Sequence, residues 1–371
     1  MRELENLFFE LIQVALENRE ALSTIPSAKE WMEIYAESGR QAITGILLHG
    51  VEKMPAGQRP PQPLLLQWIG VGQMIEQRNR LMDSRCGELL EKLTEHGVRG
   101  SILKGQGIAK LYVNDNHNDN LGLLRQPGDI DVYVDCGLEK SLAFAKTIGQ
   151  QNIDWDYKHL HLNVWNDTEV EIHYRVEVLL NLRKNRKLQR WFKEHENQIF
   201  SSANTNLTND TNGFVTPNVE FNVFYILLHI YRHFLYEGVG LRQIIDYYFV
   251  LKSIANTDST DKTDYARQAV SHFGMEKFAK GLMWVMKESL GMPEEWMLWE
   301  PDKKEGEYIL EQVMEAGNFG HHDKRLKHSG GKLGAVKAIL THNFHLLTHY
   351  PSDTIWAPVW IVWHKLWKLT R

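Results

Sequence analysis

Alternation of charged and apolar side chains most restricts how this chain can fold, and it is clearest at residues 129–134. Asp129 and Asp131 lie two positions apart, and every second residue from Ile130 to Val134 is apolar. Successive side chains of a β-strand point to opposite faces, so a strand here places both carboxylates on one face and the apolar residues in a core. Two close carboxylates repel each other unless a cation lies between them, and Mg²⁺ prefers oxygen ligands. The pattern predicts a magnesium site, with a solvated pair of aspartates as the alternative.

A glycine-containing turn precedes the aspartates. We predict a short buried strand at 101–103, a tight turn at Lys104 and Gly105, and the first turns of a helix over 106–112. The amino end of a helix offers backbone N–H groups to a phosphate, and a lysine adds positive charge. Lys104, Gly105 and Gln106 are therefore candidates for binding phosphate, although their spacing is not that of a P-loop.

Two further alternating segments follow, at 159–164 and 168–174. The Asn-Asp pair at 166–167 is typical of a turn, so the two segments predict a β-hairpin. In the second strand Glu171 and His173 share one face, and pairing with the aspartate strand would bring Glu171 beside the two aspartates as a third carboxylate. An antiparallel pair with one face in water is the alternative, because it also accounts for charged residues at every second position.

The rest of the chain has mainly helical periodicity. We predict an α+β fold in which a small mixed β-sheet core is flanked by N-terminal helices and by a C-terminal all-helical region. The expected regions are an N-terminal helical region at 1–95, an α/β domain at 96–215 and a C-terminal helical domain at 216–371. Polar or glycine-rich connectors are predicted at 114–120, 201–213, 258–261 and 329–334.

The composition limits the classes of function. A net charge of -5 over 371 residues gives no general attraction to nucleic acid, which argues against a template-dependent polymerase. The two cysteines, Cys86 and Cys136, are too few for a disulfide framework. The acidic residues near the first methionine differ from the basic start of a secretory signal, so the cytoplasm is the expected location.

Tryptophans and lysines are mixed in the segment 356–368. Such a mixture is used by helices that lie on a membrane surface. A terminal helix that packs its tryptophans on its own domain is commoner, and we favour that interpretation. The apolar stretches of the chain are too short and too interrupted to predict a membrane span.

Histidines at helical spacing form a second candidate site. His229 and His233 lie at i and i+4 of a predicted helix over 219–236, which places both imidazoles on one face. This spacing suits a transition metal and a metal-dependent hydrolase, but no third ligand is identifiable, so we favour a role in lining a cleft or in buried hydrogen bonds. Arg242 and Asp246 have the same spacing and predict an ordinary surface ion pair.

Several of these segments resemble one family. Leu-Lys-Gly-x-x-x-Ala at 103–109, Arg-x-x-Gly-Asp-Ile-Asp at 125–131 and Glu-Ile-His-Tyr at 171–174 are together similar to the uncharacterised bacterial nucleotidyltransferase family of the DNA polymerase β-like superfold. The similarity extends over roughly residues 60–365 and is most specific between 103 and 173. It implies that the α/β domain transfers a nucleoside monophosphate from an NTP, ATP first among them, to an acceptor hydroxyl and releases pyrophosphate.

The resemblance also implies roles for particular residues. By this resemblance, Asp129, Asp131 and Glu171 are the expected catalytic residues and the expected ligands of Mg²⁺, or of Mn²⁺ in its place. Nucleotide binding falls to Lys104, Gly105, Gln106, Arg125 and Gly128. His173, His229, His233 and Arg242 are candidates of second rank near the nucleotide or acceptor. The expected partners are an NTP and an acceptor, a small molecule or a macromolecule. A non-catalytic nucleotide-binding or interaction protein with the same fold is the alternative.

Overall fold

The computed structural model describes residues 3–113, 121–201, 214–256, 263–318 and 346–370. The predicted connectors at 114–120, 258–261 and 329–334, and all but the first residue of the connector at 201–213, lie outside the described residues. Within these ranges a mixed five-stranded sheet is combined with helices that precede it and follow it along the chain. The predicted α+β class is therefore confirmed.

The elements are numbered in chain order. The helices are α1 (Glu3–Ala15), α2 (Ala28–Arg40), α3 (Thr44–Lys53), α4 (Gln62–Glu95), α5 (Gln106–Ala109), α6 (Gly137–Thr147), α7 (Leu182–Glu194), α8 (Glu196–Ile199), α9 (Val219–Tyr236), α10 (Leu241–Ala255), α11 (Asp264–Phe273), α12 (Glu276–Leu290), α13 (Lys303–Ala316), α14 (Pro351–Thr354) and α15 (Ala357–Leu369). The strands are β1 (Gly100–Ile102), β2 (Ile130–Val134), β3 (Asp154–Trp155), β4 (His159–Trp165) and β5 (Thr168–His173). Short 3-10 helices lie at Ala56–Gln58, Leu121–Leu124 and Glu294–Trp296.

Polar residues fix where several helices begin. Ser27 and Glu30 form a capping box at the start of α2, in which each side chain accepts a hydrogen bond from the other residue's backbone N–H. Asn181 accepts two backbone N–H groups at the start of α7, and Asp302 accepts one at the start of α13. Each cap stabilises its helix by about 1 kcal/mol, because it satisfies N–H groups that have no partner within the helix.

The chain forms two compact units, and each is built from separated segments. The first unit consists of Met1–Arg80, Ala109–Pro127 and Glu237–Lys324, and the second of Leu81–Ile108, Gly128–Tyr236 and Arg325–Arg371. All five strands lie in the second unit. The contiguous division predicted above, at 1–95, 96–215 and 216–371, stays a prediction.

Helix α3 of the first unit packs tightly against the 3-10 helix Leu121–Leu124. Gly45 makes this contact, because a Cβ atom at this position would lie only 2.2 Å from the carbonyl oxygen of Leu124. The neighbouring atom is backbone and cannot move aside as the end of a flexible side chain can. Absence of a side chain at Gly45 is therefore a packing requirement.

We expect Gly45→Ala to lower the free energy of unfolding by about 1–3 kcal/mol, the usual cost of forcing extra volume into a packed interior. The matched control is Gly70→Ala in α4 of the same unit, where an added Cβ would meet nothing within 4 Å. That change is expected to stabilise by up to about 1 kcal/mol, because alanine favours a helix over glycine. Urea unfolding of both variants measures the difference, and equal stabilities would contradict the packing requirement.

The sheet of the second unit has the strand order β1-β2-β5-β4-β3. Strands β2 and β5 are parallel, and the other neighbouring pairs are antiparallel. Strands β4 and β5 are joined by the predicted turn at 166–167, so the hairpin is confirmed. The register places Asp131 of β2 opposite Glu171 of β5, and Glu171 opposite His161 of β4. Polar residues of three adjacent strands therefore meet on one face.

The other face of the sheet forms the core of this unit. Its apolar residues are Ile102, Ile130, Val132, Val134, Leu160, Leu162, Val170 and Ile172. They pack against Met82, Leu89 and Leu93 of α4 and against Phe144 of α6. These are the alternate positions that the sequence pattern assigns to the core, so the predicted separation of a polar and an apolar face is confirmed.

The tryptophans of the C-terminal helix α15 pack within the second unit. The rings of Trp360, Trp363 and Trp367 lie 4.9–5.4 Å from the ring of Tyr157, measured between centroids. Aliphatic residues of the same helix, such as Leu366, are exposed. Membrane-surface contact by this segment stays a prediction. None of the helices in the described ranges combines the length and the apolar run needed to cross a bilayer.

Candidate functional site

Two carboxylates face each other across the parallel strands β2 and β5. Asp131 and Glu171 are register partners, and both side chains lie on the polar face, because their neighbours Val132 and Ile172 belong to the core. Asp131 is only 1 % exposed and Glu171 is half-buried. The polar face is thus largely shielded from water at this point, which argues against the alternative of a solvated hairpin face.

His173 completes this group from the end of β5. Its Nε2 lies 2.9 Å from Oδ1 of Asp131 and 3.1 Å from Oε2 of Glu171, and the imidazole is fully buried. Burial by itself lowers the pKa of His173, but hydrogen bonds to the two carboxylates outweigh burial and raise that pKa above its ordinary value. Asp131, Glu171 and His173 offer ligand atoms that lie within 4.8 Å of one another.

A lysine ammonium balances the charge of the carboxylates. Nζ of Lys104 lies 3.0 Å from Oδ1 of Asp131, and the lysine side chain is largely buried. Burial opposes the charged form of Lys104, but the charges of Asp131, Asp129 and Glu171 together raise its pKa well above the ordinary value. For Asp131, burial acts to raise the pKa. The charge of Lys104 and the hydrogen bond from His173 outweigh burial and lower the pKa of Asp131 below its ordinary value. Lys104, a predicted phosphate ligand, is therefore in direct contact with Asp131, a predicted metal ligand.

The pKa of Glu171 is also depressed. Burial acts to raise it, but the hydrogen bond from His173 and the charges of His173 and Lys104 lower it far below the ordinary value of a glutamate. Glu171 is therefore an anion throughout the physiological pH range. An ionised carboxylate at this position can accept a hydrogen bond or ligate a cation.

Asp129 lies just before β2, half-buried, and follows the exposed Gly128. Its charge contributes to the raised pKa of Lys104. Gly105 faces the backbone carbonyl of Asp129 and has a φ of 57°, a left-handed conformation that favours glycine. Among the described residues, the group of close ligand atoms around Asp131 includes His173 and does not include Asp129.

The segment after Gly105 differs from its prediction. Helix α5 spans only Gln106–Ala109, shorter than the helix predicted over 106–112. Tyr112 lies beyond the end of α5. Its hydroxyl donates to Asp246 at 2.7 Å, and its ring stacks on Phe249. Nε2 of Gln106 donates to Asp83 at 2.8 Å. A nucleotide-binding role for Gln106 stays a prediction.

Arg125 and Arg242 lie in the first unit with their own partners. Arg125 is buried and forms two hydrogen bonds to the carboxylate of Asp246, each of 2.7 Å. Nη1 of Arg242 donates to the carbonyl of Gln126 at 3.1 Å. Arg242 and Asp246 are both buried, so the expectation of a surface pair is wrong. The structure gives Arg125 a bidentate ion-pair partner, which points to a structural role.

His229 and His233 are buried on α9, and the centroids of their rings lie 4.3 Å apart. Nδ1 of His229 lies 3.1 Å from the buried carboxylate of Glu177, which also pairs with Lys158 at 3.4 Å. Burial, reinforced by the charge of His233, holds the pKa of His229 well below its ordinary value. The preferred interpretation of this pair, a buried hydrogen-bonding role, agrees with the contact of His229.

Helix α9 also brings Tyr225 to the polar face of the sheet. The tyrosine is fully buried, and its hydroxyl has no hydrogen-bond partner among the described residues. Burial raises its pKa well above normal, and its environment includes the charges of Lys104, Asp131 and Glu171. The periodicity of an apolar helix gives no sign of which residue is close enough to the carboxylates to feel their charge, so the sequence does not single out Tyr225.

A second polar group adjoins the first. His159 and His161 of β4, with Glu171 of β5, form another set whose ligand atoms lie within 4.8 Å of one another. The alternation of this strand was recognised, but its histidines were not singled out. Their spacing of two residues on a strand, with a carboxylate strand following a tight turn, is the signal that could have identified them.

The first group can accommodate a divalent cation. Carboxylate oxygens of Asp131 and Glu171 are the ligands that Mg²⁺ and Mn²⁺ prefer, and the nearby imidazole of His173 suits a transition metal. Lys104 shows that these carboxylates already stabilise positive charge. The assignment of Asp129, Asp131 and Glu171 as the Mg²⁺ ligands stays a prediction. The donor set therefore fits the ion that the resemblance implies.

Comparison with known proteins identifies the family. The family model described as uncharacterised nucleotidyltransferase matches residues 27–291, which is more than half of the chain. Neither the curated proteins nor the solved structures include a match to this sequence. The matched range contains all five strands and both groups of polar side chains. The chain therefore belongs to the uncharacterised nucleotidyltransferase family, and its sheet is the core of a nucleotidyltransferase-like domain.

Proposed function

We propose that this protein is a Mg²⁺-dependent nucleotidyltransferase that moves a nucleoside monophosphate from an NTP, most readily ATP, to a hydroxyl of an acceptor. The observation that carries the proposal is the register of β2 and β5, which sets Asp131 and Glu171 opposite each other beside a charged lysine. Membership of the family supports the reaction class. We also propose the cytoplasm as its compartment.

In the proposed reaction the acceptor oxygen forms a bond to the α-phosphorus while the bond between that phosphorus and the α–β bridging oxygen breaks. The bond electrons leave with pyrophosphate, and the hydroxyl proton passes to a base. Glu171, ionised and half-buried, is suited to ligate the ion, whereas its depressed pKa makes it a weak proton acceptor. Mg²⁺, when bound by Asp129, Asp131 and Glu171, supplies positive charge that stabilises the phosphate oxygens.

Lys104 acts on the triphosphate in this proposal. Its raised pKa keeps it charged, so it supplies a point charge that a phosphate oxygen can contact. Gly105 lies in the turn after β1 and Gly128 in the segment just before Asp129, and the absence of a side chain leaves their backbone accessible. The other predicted ligands, Gln106 and Arg125, have protein partners and make a smaller contribution.

One observation favours the alternative of a non-catalytic nucleotide-binding protein. Asp131 is almost fully buried and is already held by Lys104 and His173. Such a carboxylate could be retained for stability alone, with the fold kept and turnover lost. The two functions differ in whether pyrophosphate is released.

A pair of isotopic labels tests the proposal. The purified chain is incubated with Mg²⁺, a metabolite and tRNA extract, and ATP labelled at either the α- or the γ-phosphate. We expect the α-label to enter an acceptor with release of pyrophosphate, and EDTA to abolish this transfer. Transfer of the γ-label would indicate a kinase instead. Binding of MgATP in calorimetry, without transfer of either label, would favour the non-catalytic alternative.

A further inference from the structure

The second polar group lies at the edge of the carboxylate site, on the hairpin of β4 and β5. His161 is the register partner of Glu171, and His159 is the register partner of His173. The imidazoles of His159 and His161 and the carboxylate of Glu171 all lie on the face opposite the apolar core. Two nitrogen donors and one oxygen donor therefore meet on two adjacent strands, which are rigid supports for a ligand.

The side chains of this group are close enough to approach one small ion. Nε2 of His159 and Nε2 of His161 are 3.0 Å apart. The two oxygens of Glu171 lie 3.2 Å from Nδ1 of His159 and 3.6 Å from Nδ1 of His161. Zinc–nitrogen bonds of about 2.0–2.1 Å in a tetrahedron place neighbouring ligand atoms about 3.3 Å apart. The Nε2 atoms face each other and the Nδ1 atoms face Glu171, so the imidazoles must rotate to turn one nitrogen each toward a shared ion. One ligand atom from each residue already lies within 4.8 Å of the others.

The chemistry of the donors selects the class of ion. Mg²⁺ prefers an all-oxygen shell, whereas imidazole with a carboxylate suits Zn²⁺ and related transition metals. Further carboxylates surround the histidines, with Asp156 lying 3.6 Å from His159 and Glu169 lying 3.4 Å from His161. Carboxylates beside ligating histidines orient the rings and increase their basicity.

The group is also accessible. The side chain of His161 is 35 % exposed, whereas that of Asp131 is 1 % exposed. An ion can therefore reach the histidines from solvent and retain a water molecule. Three protein ligands with one position open to solvent are typical of exchangeable and catalytic zinc sites, whereas structural sites have four protein ligands.

We propose that His159, His161 and Glu171 bind a transition-metal dication of the zinc class, in an open site that shares Glu171 with the carboxylate site. Of the residues proposed to act in nucleotide transfer, Asp131 and Lys104 lie outside the histidine group, and Glu171 is common to both sites. The new site does not depend on the proposed function: it stands if the chain proves inactive, and it falls if the histidines bind no metal, whatever the activity.

Cobalt is the probe, because Co²⁺ substitutes for Zn²⁺ and absorbs visible light when bound by nitrogen and oxygen ligands. The metal-free full chain is titrated with Co²⁺ in excess Mg²⁺, which competes for sites made only of oxygen ligands. We expect one equivalent of Co²⁺ to produce the absorption of a low-symmetry site, and Zn²⁺ to displace it. An absence of absorption, or of displacement, would overturn the proposal.

Variants locate the ion. His161→Gln removes a half-buried ligand with little disturbance of the core, and it is expected to weaken Co²⁺ binding by more than about a hundredfold, because loss of a supporting residue alone costs about 10–100-fold. His272→Gln, at an exposed histidine of the first unit, should bind Co²⁺ as the unaltered chain does. Asp131→Asn should also retain the absorption. Loss of absorption in Asp131→Asn with retention in His161→Gln would place the ion in the carboxylate site and refute the proposal.

A measurement on the unaltered chain removes any dependence on the folding of variants. X-ray absorption at the zinc edge of the Zn²⁺-loaded protein counts imidazole ligands directly. We expect two imidazoles and the remaining ligands to be oxygen. A shell without imidazole would show that the close approach of His159 and His161 is only a hydrogen bond between two neutral rings.

Discussion

Asp131→Asn is expected to lower the rate of nucleotidyl transfer by about a thousandfold or more. The substitution keeps the shape of the side chain but removes its charge, so the ion and the triphosphate lose a principal anionic ligand. Ligation of a catalytic metal contributes several kcal/mol, and about 4 kcal/mol corresponds to about three powers of ten in rate. Transfer of the α-label from ATP, measured under single-turnover conditions, gives the effect.

Asp154→Asn is the matched control. Asp154 belongs to the same sheet, in β3, but its side chain is 78 % exposed and lies outside both groups of ligands. The rate of nucleotidyl transfer by Asp154→Asn should equal that of the unaltered chain. Circular dichroism and the thermal unfolding midpoint establish that Asp131→Asn is folded. A folded Asp131→Asn that transfers the label at the unaltered rate would remove Asp131 from the reaction.

Arg125→Met is expected to lower the free energy of unfolding by about 3–5 kcal/mol, because it leaves the buried carboxylate of Asp246 without its bidentate cation. Burial acts to lower the pKa of Arg125, and the charge of Asp246 raises it above its ordinary value, so the guanidinium stays charged. Nucleotide affinity of the folded variant should change little. Denaturant unfolding and calorimetry with MgATP measure the two effects separately.

Arg80→Met provides the comparison for this prediction. Arg80 pairs with Glu76 one turn away on the surface of α4, and both side chains are exposed. Such pairs contribute about 0.3–0.5 kcal/mol, so its loss should barely move the unfolding curve. The opposite pattern, an unchanged stability of Arg125→Met with a large loss of MgATP affinity, would restore the nucleotide-binding role implied by the family resemblance.

The sheet was predictable because its strands are apolar on one face and polar on the other. Slipping the register of such a strand by one residue would move its apolar set out of the core, so Ile130 and Val132 define the orientation of Asp131 without any knowledge of the neighbours. The same argument placed Glu171 on the polar face of β5. What periodicity could not provide was the direction of strand pairing: the Glu171 strand was expected beside the aspartate strand, but that the two run parallel is a finding of the structure.

Most of the contacts that the sequence did not predict join residues that are far apart in the chain. Asp246 was expected to form a local pair on a helix surface, yet its carboxylate binds Arg125, 121 residues earlier in the chain. Spacing rules describe neighbours on one element and contain no information on which distant side chain shares a buried position. The joining of His159 and His161 to Glu171 was hidden for a related reason, since alternation alone does not distinguish a buried polar face from a hydrated one.

Lys104 has a consequence for the order in which ligands arrive. The ammonium of Lys104 already neutralises Asp131. A Mg²⁺ ion that binds without nucleotide must displace this ammonium from the carboxylate, so the net gain in Coulomb energy is small. An incoming triphosphate changes this balance, since it offers the lysine a new anionic partner and frees the carboxylate. We therefore expect weak affinity for free Mg²⁺ and strong synergy when ion and nucleotide are supplied together.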